Sequence, residues 1–221
     1  MVKTVAGFVA LFLFLALAIF LPAGTLNYWQ GWLYLAAFFG SCFLITLYLV
    51  NYDQILLAGR VNAGPTAETE KSQQVIQSLA SVLFIALYVV AGLDYRFHWS
   101  HVPTTLVWIS DVFVVLGFFI VFLVFRENSY TSATIEVASD QKVITTGPYH
   151  LVRHPMYMGA GLMLLFTGPA LGSWVALPLA VLMIVTIAAR AAEEEKFLVT
   201  HLRGYDQYRQ TVRQRMIPYV W

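Results

Sequence analysis

The chain predicts an all-α integral membrane protein, and three observations lead there. Hydrophobic residues make up 59% of its 221 residues and charged residues only 11%, against about 25% charged in a soluble domain, and the mean hydropathy is +0.70. Apolar runs follow one another down the chain, close to the roughly 20 residues a helix needs to cross a bilayer core of about 30 Å. Lys and Arg fall, with one exception, in alternate connections between those runs. Too few polar groups remain to cover a water-facing surface, so lipid is the solvent for much of the chain.

About six transmembrane helices are predicted, near Val5–Leu21, Trp29–Val50, Val75–Leu93, Thr105–Phe125, Met156–Thr167 and Trp174–Ala189. The first four are long enough to span. The fifth is short, and only Gly168, Pro169 and Gly172–Ser173 separate it from the sixth, so the last two read as a tight helical hairpin. Placing the N-terminus in the cytoplasm puts Lys3, Arg60, Lys71, Arg126, Lys142, Arg153, Arg190, Lys196, Arg203, Arg209, Arg213 and Arg215 on that side and only Arg96 outside, which accounts for all 13 Lys and Arg. The positive-inside rule then sets both termini in the cytoplasm. Met1–Gly24 has the early Lys and apolar run of a signal peptide, but the run is long and no A-x-A site follows; it is read as the first span. The chain divides into a four-helix region, 1–126, and a region 127–221 that carries the chemistry, within one structural unit.

Several classes are excluded or disfavoured. A net charge of +1 with no basic run interleaved with aromatics gives nucleic acid nothing to bind. Cys42 stands alone in an apolar stretch, which rules out an intramolecular disulfide and a cysteine-rich metal site. His98 and His101 are spaced to share a metal but lack further ligands, so they read as interfacial residues beside Trp99. No internal repeat suggests an inverted-repeat transporter. The middles of the first four runs read as free of charge, which argues against an ion pathway. No glycine-rich dinucleotide fingerprint is present.

The longest polar segments, Asn51–Gln74, Arg126–Arg153 and the tail after Arg190, fall on the cytoplasmic side. In the stretch QKVITTGPYHLVRHPMYMG (Gln141–Gly159), Val143–Thr145 is a short β-prone piece and Gly147–Pro148 marks a turn. Pro155 suits the first position of the fifth helix, with His154 near its N-cap. That places Arg153, His154 and Tyr157 where free N–H groups and a partial positive charge favour an anion. At the other end of the hairpin, RAAEEEK puts Arg190 and Glu194 on one helical face at i,i+4, flanked by Glu193 and Glu195. Arg153 and Arg190 also suit plain positive-inside anchors, Glu194 a partner of Arg190, and Tyr149 and Tyr157 interface aromatics. Three glutamates together at a helix C-terminus fit that plainer role poorly. Leu198, Leu202, Tyr205, Tyr208 and Val212 form one helical face opposed by Arg203, Arg209 and Arg213, which predicts an interfacial helix on the cytoplasmic leaflet that anchors the chain or caps the site.

In these residues the chain resembles the isoprenylcysteine carboxyl methyltransferase family in its short prokaryotic form. The matching series is ENSYTSATIEV, VITTGPYHLVRHPMYMG, EEEKFL and GYDQYRQTVRQRMIP, from about Glu127 to Pro218; the first four helices match only in character. The resemblance implies S-adenosylmethionine as cofactor, a pocket open to the cytoplasm, and a lipophilic acceptor arriving from the bilayer, with no metal. Residue by residue it implies cofactor contacts from the strand Gln141, Lys142, Val143 and Ile144, from Tyr149, from His154, Pro155, Met156 and Tyr157, and from Glu194. It implies that Arg190 meets the acceptor carboxylate, with Arg153 a second positive group beside it. Where eukaryotic members often carry a Gln, the region near Thr134 has none. The expected setting is a prokaryotic inner membrane.

Transfer of a methyl group from a sulfonium to a carboxylate suits such a site. The carboxylate is ionised at pH 7 and needs no base; it needs alignment and exclusion of water. An Arg fork holds a carboxylate in one plane, and Tyr faces tolerate a sulfonium through cation–π attraction. A lipid amine or small thiol as acceptor would instead require a base, for which His154 is the candidate. Two other classes stand behind. An NADPH-dependent reductase of the sterol-reductase type would want more basic residues for the 2′-phosphate. A non-enzymatic scaffold or transporter subunit would tolerate loss of Arg190 and Glu194.

Overall fold

The computed structural model describes residues 2–61, 71–131 and 141–221, and among these the regular structure is helical, with no strand. Helices α1 (Val2–Ala23), α2 (Trp29–Tyr52), α4 (Lys71–Phe97) and α5 (Thr104–Glu127) contain the stretches long and apolar enough to cross a membrane. Between α2 and α4 sits a short helix, α3 (Gln54–Val61), and α6 (Pro155–Ala170), α7 (Leu177–His201) and α8 (Tyr205–Thr211) complete the order. The six expected spans thus meet four that qualify. At 1.5 Å per residue, the 16 residues of α6 reach only about 24 Å. In α7, the last turns carry Arg190, Glu193, Glu194, Glu195 and Lys196.

Local sequence explains the helix starts around the site. The Asp53 side chain accepts the Leu56 N–H at 2.9 Å, an N-cap for α3. Pro155 opens α6 with His154 as its N-cap, as the spacing predicts. Residues 141–145, expected as a strand, carry no helix or ladder, because no described strand lies beside them to pair.

The main core lies between α1, α2, α4, α5 and the outer parts of α6 and α7. Within it Tyr34 and Tyr88 share a hydrogen bond of 2.7 Å, and Tyr34 also meets Thr167 at 3.3 Å. The connection Leu171–Ala176 joins the α1–α2 and α4–α5 connections at one end of the bundle. Tyr28 donates to the Leu171 carbonyl, Ser173 donates to Asp94, and the Trp174 indole donates to the His101 carbonyl at 3.1 Å. One expectation is corrected here. Asp111, two turns into α5, is buried at 5% exposure with no hydrogen-bond partner for either carboxylate oxygen, so the apolar run does contain a charge-bearing side chain.

Helices α5 and α6 touch backbone to backbone. A Cβ on Gly117 would lie 2.7 Å from the Gly159 carbonyl oxygen, and one on Gly159 would lie 2.7 Å from that of Gly117. Small residues allow this approach where lipid provides no hydrophobic drive between helices. Gly159→Ala is therefore expected to destabilise the protein by roughly 1–3 kcal/mol. Gly161→Ala, with nothing within 4 Å of its Cβ, should be neutral or stabilising by up to about 1 kcal/mol. Melting temperatures in detergent compare the two, and equal shifts would contradict the close contact.

Candidate active site

Three glutamates in succession on α7 point three ways, because each helical residue turns by about 100°. Glu193 is directed outward and pairs with Lys196. Glu194 faces α6, where its Oε2 accepts the Tyr157 hydroxyl at 2.7 Å. Glu195, 2% exposed, turns toward the chain's last residues.

The Tyr157 hydroxyl also accepts the Arg190 Nε–H at 3.0 Å, so one phenol stands between Arg190 and Glu194. Arg190 is 6% exposed and its Nη1 donates to the Gln73 side-chain oxygen of α4 at 3.3 Å. The His154 and Tyr157 rings stack with centroids 5.6 Å apart, and His154 Nδ1 lies 4.0 Å from Glu194.

Glu195 organises a second network. Arg153 Nε donates to it at 2.6 Å and Arg215 Nε at 2.8 Å, and His154 Nε2 lies 3.3 Å away. Burial alone would raise the Glu195 pKa. His154 beside it and the hydrogen bonds of Arg153 and Arg215 outweigh it and hold the carboxyl down at about 2. Arg153 Nη1 also donates to the Val212 and Arg213 carbonyls. The Arg153 and His154 N–H groups donate to the Gln214 and Arg215 carbonyls at 2.9 and 2.8 Å. The chain after α8 is thereby strapped across the start of α6, and Arg153 serves that strap rather than standing as a spare cation.

Of the two places expected for the apolar face of the tail, the structure gives the one against the site. Gly204, at φ +90°, breaks the run between α7 and α8. Leu202, Tyr205, Tyr208 and Val212 are then buried against Val143, Tyr149, Leu198 and Val199. The face covers protein, not lipid. Tyr149 is gripped from both sides, its hydroxyl accepting from Asn128 at 2.8 Å and its carbonyl accepting the Tyr208 hydroxyl at 2.6 Å; burial pushes its pKa up to about 12.

These groups surround one cavity of about 560 Å³, within the size range of small-molecule sites. Gln141, Lys142, Val143, Ile144, Tyr149, Arg153, His154, Pro155, Met156, Tyr157, Arg190 and Glu194 all contribute to its wall. So do Arg60 from α3, which sequence reasoning passed over as a site residue, and Tyr205 and Tyr208 from the tail face expected to anchor the chain or cap the site. Asp53 followed by Leu56, Leu57 and Arg60 was the available signal for α3, a cap and then an amphipathic turn. Away from this polar end the wall is apolar, with Ile45 and Leu49 of α2, Phe118 and Val121 of α5, Met163 of α6 and Ile187 of α7. The region near Thr134 lies outside the described residues. Among the described residues no group of three His, Cys, Asp or Glu is placed to hold a metal.

A carboxylate, two phenols and a guanidinium around a cavity with an apolar arm can hold a polar cofactor against an amphiphile. Comparison with known families agrees. Residues 105–203, just under half of the chain and α5 to the end of α7, match the family model described as phospholipid methyltransferase, the family that includes the isoprenylcysteine carboxyl methyltransferases. The resemblance read from the motifs is borne out at that level. No curated protein matches the chain.

Proposed function

With a methyltransferase region similar to that family as premise, we propose that the protein is an S-adenosylmethionine-dependent membrane methyltransferase whose acceptor is a carboxylate on a lipophilic, isoprenylcysteine-like molecule. One observation carries this: the Arg190–Tyr157–Glu194 chain of hydrogen bonds opens on a cavity that continues between apolar side chains of α2, α5, α6 and α7.

The residues present suit the cofactor. Glu194 can accept from an amine or a ribose diol, and the faces of Tyr149, Tyr157 and Tyr205 can meet a sulfonium. When bound, S-adenosylmethionine supplies the methyl group and a neutral leaving sulfur. Arg190 orients the acceptor carboxylate through its fork, Tyr157 holds Arg190 and Glu194 in register, and the apolar wall keeps water out. No side chain has to remove a proton, since the acceptor is already ionised.

We take α6 and α7 as an antiparallel pair crossing the bilayer beside α1, α2, α4 and α5, supported by the Leu171–Ala176 connection meeting the connections at the far end. We place both termini in the cytoplasm, on the strength of the Lys and Arg distribution, and the protein in a prokaryotic inner membrane, from the resemblance of its motifs to the short prokaryotic form. A lipid amine as acceptor is the second reading, favoured by the matched family's description; it requires a base, for which His154, 4.0 Å from Glu194 and 3.3 Å from Glu195, is the candidate.

Titration calorimetry of the purified protein with S-adenosylhomocysteine, S-adenosylmethionine and NADPH is the direct test. Micromolar binding of S-adenosylhomocysteine, lost in Glu194→Ala, is the expected result. A folded sample that binds NADPH and neither adenosyl ligand would replace the methyltransferase with a reductase.

A further inference from the structure

We propose that the cavity selects acceptors by the length of their hydrocarbon chain, with a floor at Cys42, Phe118, Met163 and Ile187 that admits about eight chain bonds and no more. The inference rests on the methyltransferase function proposed above and adds the size of the acceptor and the residues that set it.

Four helices reach the same depth. Within the membrane part of the cavity wall, α2 extends from Leu49 to Cys42, α5 from Phe125 to Phe118, α6 from Met156 to Met163 and α7 from Glu194 to Ile187. Each pair is two helical turns apart, or about 10 Å. Helix α4 joins them through Gln77, so five helices surround the deep part. One turn further in, Phe39 of α2, Val114 of α5 and Thr167 of α6 are buried. The floor is held from below. The Phe118 ring meets Phe38 edge to face, with centroids 4.9 Å apart. Met163 fills the space that Gly117 leaves on α5 by lacking a side chain. Thr167 donates back to the Met163 carbonyl at 2.8 Å, and Tyr34 meets Thr167 in turn.

Length follows from that depth. An extended chain advances about 1.2 Å per bond, as the backbone itself does, so the full depth takes about eight bonds. Arg190 lies only one turn above Ile187, so a head group held there leaves its tail roughly 5 to 10 Å before the floor. The cavity of about 560 Å³ is the size of one small-molecule site, and it has to take the methyl donor as well. One or two prenyl units, or an alkyl chain of similar reach, fit this space. A longer chain would have to push Phe118 or Met163 into a packed core, which gives little. The acyl chains of a membrane phospholipid are therefore excluded from it.

Two probe series test this, N-acetyl-S-alkylcysteines and alkylamines, each from butyl to hexadecyl, so that length is read apart from the charge of the head. Binding to the full chain in nanodiscs would be measured with S-adenosylhomocysteine present, for wild type, Met163→Ala and Cys42→Phe. Probe concentrations are counted per lipid, which removes partition into the bilayer from the comparison. The expected result, in whichever series binds, is an affinity that peaks near octyl and falls by about tenfold or more at hexadecyl. Met163→Ala should move the peak to a longer chain and Cys42→Phe to a shorter one, each by about two or three carbons, while S-adenosylhomocysteine affinity changes far less. A wild-type affinity that stays level or climbs from octyl to hexadecyl would overturn the inference, because the tail then leaves sideways into lipid. So would peaks that stay in place in both variants, or no binding of either series. S-adenosylhomocysteine binding would in each of these cases leave the methyltransferase function standing. A wild-type protein that binds no S-adenosylhomocysteine would remove the underlying function, and the inference with it.

Discussion

Arg153→Ala is expected to destabilise the protein by about 3–5 kcal/mol, the usual result of removing one member of a buried charge pair. Arg153 is 7% exposed and its partner Glu195 2%. Its loss takes away the 2.6 Å bond to Glu195 and both bonds to the Val212 and Arg213 carbonyls. Arg153→Lys should recover little, because one ammonium cannot reach three acceptors placed for a fork. Thermal unfolding in detergent measures it, and an Arg153→Ala protein melting with wild type would show that the strap contributes nothing. A pH dependence accompanies the pair. The Glu195 carboxyl sits at about 2 in the folded protein, below its ordinary 4.5. A depressed carboxylate adds stability that is present above the unfolded value and is lost as pH falls through the folded one. Wild type should therefore lose stability between about pH 5 and pH 2, by on the order of 3 kcal/mol from this group. Glu195→Gln should start lower and show a flatter decline.

Arg190→Ala should lower methyl transfer by about 10²–10³-fold, the range found when one positioned donor is removed from a reaction site. Tyr157 and Gln73 hold this guanidinium beneath the apolar wall, so the effect is one of alignment and should appear in kcat as well as KM. Arg190→Lys should restore charge without the planar fork and recover only part of the rate. Initial rates with an isoprenylcysteine probe and labelled S-adenosylmethionine decide it. An Arg190→Ala enzyme within about threefold of wild type would remove Arg190 from the acceptor side, and a restored rate in Arg190→Lys would reduce its role to charge alone.

Much of the site is written in local sequence. Pro155 as the first residue of α6 and His154 as its cap follow from proline's missing donor. Gly147, at φ +57° with the Glu127 side chain against it, makes the GPY turn that sets Tyr149. Arg190 and Glu194 share a face by helical spacing. The parts that could not be read are those decided by distance in the chain. Spacing puts Glu194 on the Arg190 face, but nothing local gives Glu195 its part; that arises because Tyr157 meets Glu194 while Arg153 and Arg215 meet Glu195. The apolar stripe of the tail has the spacing of a membrane-surface helix, and only the folded chain offers Val143 and Tyr149 as a competing surface. Gln73 looks like an ordinary polar residue before a span until Arg190, 117 positions away, donates to it. Four spans are legible in length and hydropathy, whereas hydropathy does not separate a short helix that packs on α5 through glycine from one that faces lipid, so the part played by α6 is not.

The cavity wall draws on the matched stretch and on chain either side of it. Glycine contact welds α6 to α5, and both lie in the matched stretch together with Tyr157, Arg190 and Glu194. Arg60, Leu57, Leu49 and Ile45 come from α2 and α3, ahead of that stretch. Substitutions in α2 and α3 can reshape the space for a new acceptor without touching the hydrogen bonds among Tyr157, Arg190 and Glu194. The fold thus keeps one part of the apolar wall, Ile45, Leu49 and Leu57, on a different stretch of chain from the hydrogen-bonded groups.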